Sequence, residues 1–259
     1  MNSLLKWAIL NGATAGEDAP GGESGRAAPQ ALDPAVIDMI LGKPASVQMS
    51  ECMDAVEHAE TPAAARAVAL DDLEMLVENI DNAANVEALG LWPRLQALYT
   101  DGDAGVRAGA LWVSATALQH NPRAQAAFGA RRLARPVLRV LQSDGDAAVR
   151  AKALLCLSAY VRANAAGLAD FVAADGLQAL HAVLGAADPR PVAKALFLLR
   201  ALIDDDADAD AGAERRLPPA LADLRFADAA AAAALRFADS DPPTADAARD
   251  FVAVLAATH

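Results

Sequence analysis

Asp206, Asp208 and Asp210 alternate along the chain as the first ligands of a calcium-binding loop do. Such a loop needs glycine at its sixth position and glutamate at its twelfth, because the turn is tight and the last ligand is bidentate. Those places hold Ala211 and Leu217, so the stretch reads as a solvated acidic loop. His58, His120, His181 and His259 are dispersed and form no His-x-x-x-His or Cys/His spacing of the kind that holds zinc. A Gly-x-Gly-x-x-Gly loop, a Gly-Lys-Ser/Thr phosphate loop and a Gly-x-Ser-x-Gly elbow are also missing. The expectation is a chain that works by binding, with no catalytic residue, no cofactor and no metal.

The residues that suggest binding are Arg107, Arg150, Lys152 and Lys194, basic side chains at matched positions of a repeat. The repeat reads Asp101-Gly-Asp-Ala-Gly-Val106-Arg107, then Asp144-Gly-Asp-Ala-Ala-Val149-Arg150, then Asp188-Pro-Arg-Pro-Val192-Ala-Lys194. The valines step by 43 residues each time. In a chain of formal net charge −12, cations at recurring positions suit the carboxylates of a partner. The alternative is that they are ordinary surface, or pair with the aspartate of a neighbouring turn. The aspartates themselves read as turn and cap residues, since Asp in a turn hydrogen-bonds its own backbone.

A period near 43 residues is that of a helical solenoid, and three helices per period is the armadillo plan. Each period is predicted to hold a short helix, then one around residues 91–99, 133–141 or 177–184, then a polar turn. A longer helix follows, around 106–119, 149–162 or 192–203, where the basic residues fall in the opening turns. Upstream, Asp33-Pro34 opens a helix ending at Gly42, a second covers 46–59, and Thr61-Pro62 opens a third. In that third helix Leu73, Leu76, Val77 and Ile80 share one face at i, i+3, i+4 and i+7. The expected organisation is a segment 1–31, capping helices 32–80, and armadillo repeats at 81–121, 122–163 and 164–203. An acidic loop, a degenerate fourth repeat and a capping helix would fill 204–259. The fold class is therefore all-α, an armadillo-like right-handed solenoid preceded by a flexible segment.

Composition agrees. Apolar residues make up 54% of the 259 but aromatics only 4%, and alanine, the best helix former, supplies much of the difference. The acidic balance opposes nucleic acid and anionic membrane as partners, and no apolar run reaches the ~20 residues of a membrane span. Cys52 and Cys156 both fall inside helical patterns and read as reduced, buried thiols, which suits the cytosol. The apolar run of Leu4, Leu5, Trp7 and Ile9 is split by Lys6, so it is not read as a secretory signal. Either it covers the first repeat as a helix, or it stays tethered and offers short apolar side chains to a partner. The Gly, Ala, Pro, Glu and Ser-rich stretch that follows favours the second.

Three passages carry a family resemblance: Leu4-Leu5-Lys6-Trp7-Ala8-Ile9, Leu73-Glu74-Met75-Leu76-Val77-Glu78-Asn79-Ile80-Asp81-Asn82-Ala83-Ala84-Asn85, and Val149 through Arg162. Together they resemble the armadillo-type nucleotide exchange factors of the 70-kDa heat-shock chaperone, in their fungal cytosolic form. The resemblance implies a monomeric adaptor in the cytoplasm, with nuclear entry open. Such an adaptor grips the second lobe of the chaperone's ATPase domain, speeds ADP release and promotes release of client protein. It implies that Asn79, Asp81, Asn82 and Ala83 lie on the gripping face with Arg150, Lys152 and Lys194, and that Leu4, Leu5 and Trp7 form a client-release segment. It further implies that Ala83→Arg would remove binding without disturbing the fold. The competing reading is a general armadillo scaffold for an extended peptide or another protein; the Trp and Asn rows usual there are reduced to Trp112, with Leu155 and Phe197 near the matching places.

Overall fold

A computed structural model describes residues 42–208 and 217–257. Among them every regular element is an α-helix. Two helices come first, α1 (Ala45–Glu57) and α2 (Ala63–Val77). Three sets of three follow: α3 (Ile80–Ala88), α4 (Leu91–Leu98) and α5 (Ala104–Leu118); α6 (Pro122–Ala130), α7 (Ala134–Ser143) and α8 (Ala147–Val161); α9 (Ala165–Ala173), α10 (Gly176–Leu184) and α11 (Pro189–Asp208). The same order of short, middle and long helix recurs in α12 (Leu217–Asp223), α13 (Phe226–Arg236) and α14 (Pro242–Ala257).

Local chemistry fixes where each helix begins. Asn79, Asn121 and Asn164 stand at the N-caps of α3, α6 and α9, each accepting backbone N–H groups of the first turn. Asp103 and Asp146 do the same for α5 and α8. The residue just before or at the start of each middle helix lies in the left-handed region, at Gly90 (φ 65°), Arg132 (54°), Asp175 (62°) and Arg225 (56°). Only the first is glycine, so each later turn carries about 1–2 kcal/mol of strain that packing must outweigh.

The packing is between repeats. The long helices α2, α5 and α8 lie against one another in sequence, then α8 meets α11 and α11 meets α14. Their apolar faces include Leu70, Leu73, Val106, Leu111, Val149, Leu154, Val192 and Leu196, all buried. An aromatic contact links the first repeat to the second, with Trp92 edge-on to Phe128 at 5.4 Å, and within the second Phe128 lies 4.9 Å from Tyr160. In α13 the run Ala229 to Ala234 still forms helix and buries Ala230, Ala233 and Ala234, since alanine needs no side-chain ordering and permits close approach.

Two arginine clamps fasten the joints. Arg66 in α2 forks onto Asp101 (3.3 and 2.6 Å) and donates to the Val56 carbonyl. One repeat later Arg107 forks onto Asp144 (2.7 and 3.0 Å) and donates to the Asp101 carbonyl. These guanidinium hydrogen bonds hold the Asp101 and Asp144 carboxyls below the usual carboxylate range.

Several expectations change. Ile80 does not share the buried face of Leu73 and Val77: Asn79 restarts the helix there, and Ile80 is exposed. Asp204 to Asp208 extend α11 instead of forming a loop, where Arg200 pairs with Asp204 and Arg162 with Asp205. Cys156 is fully buried, which pushes its thiol up, but Cys52 is only half-buried. The segment 1–31, the expected helix from Pro34 up to residue 41, and Asp210 lie outside the described residues.

A depressed carboxylate contributes stability above its unfolded pKa of about 3.9, lost as pH falls through its lower folded value. Asp144→Asn should therefore cost about 1.5–3 kcal/mol at pH 7, the range for hydrogen bonds to charged groups. In urea melts its deficit against the unmodified chain should shrink as pH drops below about 4; a deficit independent of pH would show that the clamp is not the cause.

Candidate functional site

Stacking the long helices aligns their outward positions. Val68 of α2, Gly109 of α5, Lys152 of α8 and Lys194 of α11 share one register; Asp71, Trp112, Leu155 and Phe197 share the next. Met75 follows one turn further along α2. Of these, Val68, Met75, Trp112 and Phe197 are exposed, Met75 at 65% and Phe197 at 69%. Large apolar side chains so exposed on one face mark a surface for another molecule more than a defect of packing.

Charge on this face is arranged around Trp112. The Lys152 ammonium stands 3.2 Å from the centre of the indole ring, a cation–π contact. Its pKa is lowered, first by burial and then by Lys194, against the opposing influence of Glu74 and Asp71. Glu74 is itself buried and accepts a 2.6 Å hydrogen bond from Thr116. The result is an apolar strip carrying two neighbouring ammonium groups, with acid confined to the α2 side. Among the described residues no cluster of His, Cys, Asp or Glu is placed to hold a metal ion.

The residues singled out from sequence fall in three places. Arg107, Arg150, Lys152 and Lys194 lie in the opening turns of the long helices. Lys152 and Lys194 meet near Trp112, and Arg150 and Lys194 line a shared cavity of about 520 Å³ between α8 and α11. Arg107 is occupied by its clamp to Asp144, beside a larger cavity of about 800 Å³ between α4 and α7. Asn79, Asp81 and Asn82 instead follow the carboxyl end of α2, where Asn79 caps α3 and Asn82 donates to the Leu76 carbonyl. Leu4, Leu5 and Trp7 lie outside the described residues.

Ala83 is corrected. Its methyl is 2% exposed, packed into the core from α3, so it cannot touch a partner directly. The exposure of Met75 on this face and the Glu74–Thr116 pair were not read from the sequence. Their signal was the 41-residue step from α2 to α5, which puts Met75 in register with Thr116 once the clamp arginines Arg66 and Arg107 are aligned.

Residues 1–86 match the family model described as nucleotide exchange factor Fes1. The chain resembles the Fes1 family. It is 44% identical over 99 residues to the Hsp70 nucleotide exchange factor fes1 of Schizosaccharomyces pombe, across 38% of this chain and 34% of that protein. The Cryptococcus neoformans protein named Hsp70 nucleotide exchange factor FES1 is 42% identical over 93 residues, 36% of this chain and 24% of its own. For the protein of that name in Coccidioides immitis the values are 34% over 127 residues, 48% and 60%. The match thus spans between a quarter and three fifths of these relatives' length. Beyond residue 86 the Fes1-like chain is placed by its shape. It superposes on a designed armadillo repeat protein in complex with the peptide (KR)4 with TM-score 0.53, at 15% identity, over 79% of this chain and 99% of that one. An engineered protein gives TM-score 0.54 at 16% identity, over 81% and 98%.

Because Ala83 is buried, Ala83→Arg should destabilise the fold by about 3 kcal/mol or more, through overpacking and an unpaired buried charge. A thermal melt unchanged by this substitution would contradict the placement of α3.

Proposed function

We propose that the chain is a co-chaperone without catalytic chemistry, an adenyl-nucleotide exchange factor for the 70-kDa heat-shock chaperone of the cytoplasm, with a nuclear pool allowed. The observation that carries the reading is the Fes1 match over residues 1–86, which takes in Leu4, Leu5 and Trp7 and reaches Val86 in α3. In this reading the monomer's long-helix face binds lobe II of the ATPase domain. Met75, Trp112 and Phe197 supply apolar contact, and Lys152 and Lys194 select acidic side chains. The same two lysines would repel a basic peptide such as the (KR)4 bound by the designed armadillo protein.

A binding protein can speed ADP release only by holding the chaperone in a form that binds ADP weakly. It must bind that form more tightly than the ADP-bound form, since equal affinity shifts no population. The segment bearing Leu4, Leu5 and Trp7 is assigned to the chaperone's client-binding groove, where short apolar side chains compete with client.

Stopped-flow release of a fluorescent ADP analogue from the chaperone should accelerate with the intact chain. Phe197→Asp should fall short by about tenfold or more in potency while melting as the unmodified chain does, because the ring is exposed and a carboxylate there opposes an acidic partner. No acceleration by the folded chain would favour the scaffold reading. Removal of residues 1–31 should leave ADP release intact and slow client release; a loss of ADP release would make the segment part of the grip.

A further inference from the structure

The first two joints show what an arginine in the clamp register takes. Asp101 accepts the Asp103 N–H at 2.9 Å and the Arg66 guanidinium; Asp144 accepts the Asp146 N–H at 2.8 Å and the Arg107 guanidinium. A second aspartate in each turn, Asp103 or Asp146, is left to cap the long helix. The third turn is one residue shorter: Val106 and Val149 come five residues after their aspartate, Val192 only four after Asp188. One aspartate therefore replaces two. Asp188 accepts the N–H of Arg190 at 3.0 Å and the guanidinium of the same Arg190 at 3.1 and 2.8 Å.

Arg150 is the equivalent of Arg66 and Arg107. Among the described residues it donates to the Asp144 carbonyl at 2.6 Å, as Arg107 does to Asp101, but forks onto no carboxylate. Beside it lies the cavity of about 520 Å³ between α8 and α11, lined by Ala147, Arg150, Asp188, Arg190, Pro191 and Lys194. The far end of this joint is tied, with Arg162 and the Ala163 N–H both on Asp205 at 3.0 and 3.2 Å. The slot is thus open at one end and held at the other.

We propose that this slot is a carboxylate-binding site, and that its occupant is an aspartate or glutamate side chain of a protein partner. That side chain seats on Arg150 as Asp101 and Asp144 seat on Arg66 and Arg107. The bond to the Asp144 carbonyl already orients the guanidinium, so little side-chain freedom remains to be lost on binding. Lys194, exposed and without an ion pair among the described residues, adds a second cation at the mouth. The site deepens the proposed function and rests on it, by naming the chemistry the partner must present.

Ala186, half-buried and 42 residues after Asp144, the step that also relates Lys152 to Lys194, occupies the place of the missing aspartate. Ala186→Asp should supply the carboxylate in cis, raising the melting temperature and weakening binding to the chaperone's ATPase domain about tenfold or more. Arg150→Gln should weaken binding as much without the gain in stability. The proposal is overturned if either variant binds with the affinity of the unmodified chain. A fluorescein-labelled peptide of eight glutamates, titrated at low salt, separates the two claims. If the chaperone domain fails to bind but the peptide binds and Arg150→Gln abolishes it, the slot stands and the chaperone reading falls. If the chaperone domain binds all three chains equally, the reading stands and the slot falls.

Discussion

A set of three short helices cannot bury its own apolar surface, and this constraint governs the molecule. Each repeat presents one apolar side to the repeat before and another to the repeat after, so stability is approximately a sum over joints. The long helices carry most of that contact, and their orientation at each joint decides which side chains face outward together. Trp112 comes under Lys152, and Lys194 comes near them, only because α5, α8 and α11 are stacked in register. The arginine clamps act on the same joints. At partly buried positions a forked guanidinium–carboxylate pair sets geometry as well as adding energy, and it does so at the turns before α5 and α8 and not at the start of α11.

The architecture was legible where the information is local. The recurring valines, the Asp-x-Asp turns and the alanine content identify helices, their starts and their period. What spanned joints was not. Arg66 meets Asp101 across 35 residues and Arg107 meets Asp144 across 37, and a turn aspartate looks the same in sequence whether or not a distant guanidinium reaches it. The turn Asn79 to Ala83 illustrates the same limit. The family resemblance put it on an exposed gripping face, yet Asn79 and Asn82 spend their side chains on the local backbone and Ala83 points into the core. Ile80 lost its place on the apolar face for the same reason, since a cap at Asn79 breaks the helical phase.

On the candidate face the sequence located the cations but not their setting. A chain of net charge −12 that places Lys152 and Lys194 together, beside exposed Trp112 and Phe197, concentrates its attraction for acid on one surface while the remainder repels it. Such a surface combines apolar area for affinity with charge for orientation and choice of partner. The one-residue shortening before Val192 adds to it, because it frees Arg150 from the duty its two counterparts perform.

The central claim is that the chain works by binding one nucleotide state of a chaperone better than another. Its affinity for the isolated ATPase domain, measured calorimetrically with and without saturating ADP, tests this most directly. Linkage requires ADP to weaken that affinity by the same factor by which the chain weakens ADP. A fall of about fivefold or more, matched in the reciprocal titration, is the predicted result; equal affinity in the two conditions would contradict the account.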